Sequence, residues 1–157
     1  MPDNGALCII STQSACVVAA VARHGWLRMR RRKTTQEALA FKRLVRRALD
    51  ALPPEIAQLM DNVAVVVEDE PGPELLAEMG LSPPETLFGF YQGVPQTERS
   101  SAYGMVLPDR VILFQRPLEE ASLSYGELVY EIKRTIVHEV AHHFGMDDAR
   151  LDRLGLG

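Results

Sequence analysis

His138, Glu139, His142 and Asp148 are the residues whose types and spacing can do chemistry. They fall in the stretch HEVAHHFGMDD, residues 138–148, which reads HExxHxxGxxD. On a helix, residues four apart lie on one face, one turn above the other. The spacing therefore predicts that His138 and His142 point two imidazoles at one metal ion, with Glu139 beside them in reach of a metal-bound water. Gly145 can take positive φ and end the helix. The chain then folds back and offers Asp148 as a third ligand. Two His and one carboxylate leave a tetrahedral Zn²⁺ one open position, which suits a catalytic rather than a structural site. Two neighbours compete. His143 lies about 100° round the helix from His142, which suits a supporting or surface role, and Asp147 differs from Asp148 only by register. The plainer alternative is a helix carrying structural histidines and no metal.

The elements around this stretch must position it. Ser124 and Glu127 have capping-box spacing, and a long helix is predicted from there to about Phe144. Its expected buried face is Leu128, Val129, Ile132, Ile136, Val140 and Phe144. Glu131, Thr135, His138 and His142 form a neighbouring stripe, so the histidines border the core face. Ala149 to Leu154 leaves room for one or two helical turns closed by Gly155.

Upstream, Thr34 and Glu37 form another capping box. Phe41, Leu44, Val45, Ala48, Leu49 and Leu52 then mark one helical face, stopped by Pro53-Pro54. Glu55 to Met60 is read as a short helix, and Val63 to Val67 as a buried strand that ends in Glu68, Asp69 and Glu70. That acidic triplet reads as a solvated strand end. Glu74 to Met79 is a further short helix, ending at Gly80. Leu87 to Tyr91 is a strand, Gln92 to Tyr103 a polar loop, and Gly104 to Leu107 a short strand. Arg110 to Gln115 is the clearest strand of this half. Pro117 fits it to a sheet edge, where an extended peptide can pair with open backbone groups. The order predicts α+β: a small mixed β-sheet packed against an N-terminal helix and an active-site helix.

A length of 157 residues fits one domain, and 46% apolar residues suffice for a core. The net charge of −4 gives no case for specific nucleic-acid binding. That charge is unevenly spread: residues 1–50 carry 10 Lys and Arg against 3 Asp and Glu, and residues 51–157 carry 7 against 18. Cys8 and Cys16 both lie near the start, so the body has no disulfide and no CxxC zinc signature. No apolar run reaches the roughly 18 residues of a membrane-spanning helix. A cytoplasmic location with no membrane partner is expected.

Residues 1–33 read as a poorly ordered basic extension, and residues 34–157 as the domain. The apolar runs from Ala6 to Ile10 and Cys16 to Ala22 precede the basic cluster Arg28, Arg30, Arg31, Arg32 and Lys33. A secretory signal has the opposite order. Met29 offers a second initiation point, which would make residues 1–28 an upstream extension.

With these residues in view, HEVAHHFGMDD resembles the HExxHxxGxxD site of zincin metallopeptidases with the metzincin-type glycine turn. The body, from about Phe41 to Gly155, more closely resembles a small bacterial zinc metallopeptidase family with a minimal zincin-like fold. LVRRALDALPPEIAQLMDNVAVVVEDEP, YGMVLPDRVILFQRPLE and DDARLDRLG carry that likeness. The resemblance implies zinc as cofactor, ligands His138, His142 and Asp148, Glu139 as base, and a peptide or protein substrate beside an edge strand. One departure stands out. Larger metzincins carry a Met-containing turn after the third ligand, whereas the nine residues after Asp148 contain no Met. Met146 lies inside the motif and cannot serve. Two functions are therefore expected from these residues: a zinc-dependent hydrolase of peptide bonds, or a non-catalytic zinc-binding or protein-interaction module that retains the zincin site. Tyr103 is a candidate to steady an oxyanion.

Overall fold

A computed structural model describes residues 34–93 and 109–155, together with the backbone of residues 7–10 and 16–21. The elements run β1 (Leu7–Ile10), β2 (Cys16–Val21), α1 (Thr35–Asp50), α2 (Pro54–Leu59), β3 (Val63–Glu68), α3 (Pro73–Glu78), β4 (Glu85–Gln92), β5 (Asp109–Phe114), α4 (Gln115–Ala121), α5 (Tyr125–His143) and α6 (Asp148–Arg153). The strands form one sheet in the order β1-β2-β4-β5-β3. All neighbours are antiparallel except β3 and β5, so the sheet is mixed. The α+β class follows as expected.

Both long helices begin with the devices the spacing predicts. The Thr34 hydroxyl accepts from the Glu37 N–H at 3.2 Å, and the Glu37 carboxylate accepts from the Thr34 N–H at 2.7 Å. Two of the donors that a helix start leaves unpaired are thus satisfied. At α5, Ser124 caps Glu127 in the same way, while the Glu127 carboxylate reaches one residue further back, to the Leu123 N–H at 2.7 Å. Gly145 follows α5 with φ +76°, a conformation that Cβ-bearing residues avoid. The Met146 N–H donates to the Ala141 carbonyl, closing the helix end.

The sheet alternates as strands must. Along β5, Val111 and Leu113 face the main core with α1 and α5, while Ile112 and Phe114 face a smaller cluster with Leu81, Leu87 and α3. The main core joins Phe41, Val45 and Ala48 of α1 to Leu128, Ile132, Ile136 and Val140 of α5. α5 is thus clamped between α1 and the sheet.

Two expectations change. Arg110–Gln115 was expected at a sheet edge, but β5 lies inside, between β4 and β3. Pro117 belongs instead to the first turn of α4, where a missing N–H costs no helical bond. The strand at Val63 is itself the edge and only half-buried, its apolar run serving one covered flank. Two sheet strands, β1 and β2, fall on the two apolar runs of residues 1–33. The Gly104 strand and the Tyr103 loop lie outside the described residues. Among the described residues, no helix is long and apolar enough to cross a membrane.

Candidate functional site

The C-terminal half of α5 carries His138, Glu139 and His142 on its inner side. His138 is 7% exposed and Glu139 is completely buried. The two imidazole centroids are 5.8 Å apart at 48° to one another. His138 Nδ1 lies 3.1 Å from the Arg134 carbonyl oxygen. A carbonyl only accepts, so Nδ1 carries the proton and the ring's lone pair is on Nε2. One helical turn on, His142 Nε2 lies 2.9 Å from Asp148 Oδ1. The turn at Gly145 makes that contact, because it reverses the chain just before Asp148 opens α6.

The two aspartates separate cleanly. Asp147 is the N-cap of α6, and its Oδ1 accepts from the Arg150 N–H at 2.8 Å. Asp148, one residue later, turns to His142. The two adjacent histidines separate as well. The His143 side chain is buried, stacked on Tyr91 with centroids 3.8 Å apart and 3.9 Å from Asp109 Oδ2. It packs on the sheet rather than lying at the surface.

Glu139 is held by β4. Its Oε2 accepts from the Tyr91 N–H at 3.0 Å. The close approach of strand to helix depends on Gly89: a Cβ there would lie 2.5 Å from Thr135 Cγ2 and 3.5 Å from Glu139 Cγ. Tyr91 in turn donates its hydroxyl to Asp109 Oδ2 at 3.0 Å. Sequence reasoning missed Gly89, Tyr91 and Asp109. They reach the helix only through strand register, which a helical spacing does not report. On the same stripe, burial pushes the Glu131 carboxyl up from its ordinary value, with Arg134 opposing that shift.

The pattern of the zincin-like metallopeptidases matches residues 60–157. The chain belongs to the zincin-like metallopeptidase family. The match covers the sheet from β3 onward, the helix with both histidines, and α6. No curated protein matches the chain. Membership in the zincin-like family implies zinc, and the donor set can be tested against it. Two imidazoles and a carboxylate are suitable zinc ligands, and with Nδ1 of His138 on the Arg134 carbonyl its Nε2 is the nitrogen that could take a metal. Among the described residues no three His, Cys, Asp or Glu side chains already converge as a metal-holding group. His142 and Asp148 contact each other directly. The zincin-like chain therefore has fitting donors, two of them in contact and the third one helical turn away.

Proposed function

We propose that the chain is a zinc-dependent metallopeptidase in which His138, His142 and Asp148 hold the metal and Glu139 is the general base. The observation that carries this reading is the placement of Glu139. Its carboxylate sits one residue from His138 and is fixed by the Tyr91 N–H at 3.0 Å, so the base is already oriented beside the donors. Zinc, when bound there, supplies the Lewis acidity that polarises a peptide carbonyl and activates water. Glu139 takes the water proton and returns it to the leaving amine. His138 is kept in the ligating tautomer by the Arg134 carbonyl, and Asp148 neutralises part of the charge, making the metal a weaker Lewis acid than three histidines would.

The complete burial of Glu139 favours a second reading, a non-catalytic zinc-binding or interaction module. One comparison separates them. Glu139→Gln keeps an acceptor for the Tyr91 N–H and removes only the base. In a broad peptide-library digest, zinc-loaded wild type should cut and the variant should lose cleavage by at least a hundredfold while binding zinc equally. Equal cleavage by both proteins would sink the assignment of Glu139. No cleavage by either, with one zinc bound to each, would favour the non-catalytic module.

A further inference from the structure

β4 is the strand that touches the candidate base. Its Tyr91 N–H donates to Glu139, and a Cβ on its Gly89 would lie 3.5 Å from Glu139 Cγ. One flank of β4 is taken by β5. An open flank on the other side would present a row of unpaired N–H and C=O groups to any extended polypeptide. The chain's own β2 fills that flank, running antiparallel with Val17 opposite Phe90, Val18 opposite Gly89 and Val21 opposite Glu85. The ladder stops at Phe90, and the next N–H along, from Tyr91, goes to Glu139. The self-pairing thus covers the part of β4 nearest the base, and β2 also packs against α5.

Distance makes this decisive. Neighbouring strands lie about 4.8 Å apart. A peptide paired directly on β4 lies one spacing from it. With β2 and β1 in place, a peptide on either outer edge of the sheet, beside β1 or beside β3, lies three spacings from β4, about 14 Å. A carboxylate acting directly or through one water does not span that gap.

We propose that residues 16–21 are a built-in occupant of the peptide-docking edge, so that an extended polypeptide reaches Glu139 only when β2 lifts from β4. The N-terminal hairpin is then an autoinhibitory strand. Its inhibitory consequence rests on the peptidase reading above; its occupancy of the edge does not. One feature makes β2 displaceable. The register slips between Val18 and Ala19, and such an irregularity locally disrupts the ladder.

The test compares three proteins: the full chain, the full chain with Ala19→Pro and Ala20→Pro, and a chain beginning at Met29. Consecutive strand residues aim their N–H groups at opposite neighbours, so one of the two prolines removes a bond to β4. Hydrogen exchange of the β4 amides from Thr86 to Phe90 should quicken at least tenfold in both altered chains. A fluorescein-labelled peptide with the sequence of residues 14–23 is the binding probe, used in the Glu139→Gln background so that it is not cut. It should bind the altered chains at least tenfold more tightly than the full chain. Library cleavage should rise at least tenfold in the altered chains and fall again when the unlabelled peptide is added. Equal β4 protection with equal probe binding in all three proteins overturns the proposal, as does equal cleavage by all three. If none cleaves but the probe still prefers the altered chains, edge occupancy stands and the peptidase reading fails instead.

Discussion

α1 and α5 start alike and bury different things. Each opens on a hydroxyl cap three residues before a glutamate, and each lays a helical stripe on the same core. α1 buries only Phe41, Val45 and Ala48. α5 buries Leu128, Ile132, Ile136, Val137, Val140 and Ala141, and along with them Glu131, Thr135, His138 and Glu139. Buried polar groups are costly unless each finds a partner. On α5 the partners are specific: the Glu131 carbonyl for Thr135, the Arg134 carbonyl for His138, and the Tyr91 N–H for Glu139. One helix is therefore scaffold, and the other accepts a costlier interior in order to carry the site.

This contrast can be broken by substitution. The largest effect belongs to the scaffold. Phe41→Ala should cost about 4 kcal/mol of unfolding free energy in urea titration, while the folded fraction keeps its zinc affinity. A comparable loss of zinc binding would mean that α1 shapes the site directly. On α5, His142→Ala should weaken zinc by more than the 10–100-fold typical of supporting residues, measured by competition with a chelating dye. The adjacent His143→Ala should leave zinc affinity within a few fold and instead lower stability by about 1.5 kcal/mol, through the lost stacking on Tyr91. Reversed behaviour of the two histidines would contradict the register of the helix. The shared element should respond equally: Thr34→Ala and Ser124→Ala should each cost about 1 kcal/mol, read by thermal unfolding.

The smallest effect is electrostatic. Burial raises the Glu131 pKa in the folded protein. Between its unfolded and folded pKa values the folded state holds more protons than the unfolded state, so stability falls as pH rises through that window. Glu131→Gln should remove this slope and stabilise the protein at neutral pH relative to wild type. A variant less stable at neutral pH would show that the Arg134 contact, 3.9 Å away, outweighs burial.

Much of the site was legible in the sequence because its parts are local. The i, i+4 histidines, the glycine turn and the second aspartate lie within eleven residues, and a helix followed by one turn fixes their relation. Both helix caps and their apolar stripes were legible for the same reason. Pairing between distant strands was not. Pro117 points to a sheet edge at β5, whereas it lies in the first turn of α4 and β5 lies inside the sheet. Gly89, Tyr91 and Asp109 bear on Glu139 and His143 through a sheet register that no local spacing encodes. The choice between Asp147 and Asp148 turned on which one caps α6, a matter of a single residue of phase.

The central claim is that His138, His142 and Asp148 hold one zinc ion at the end of α5. X-ray absorption of protein loaded with one equivalent of zinc tests it most directly. The account predicts two imidazole nitrogens at about 2.0–2.1 Å with oxygen filling the remaining positions, and loss of one imidazole in His138→Ala. A zinc spectrum unchanged by His138→Ala, or no zinc retained by the wild type after dialysis, would contradict it.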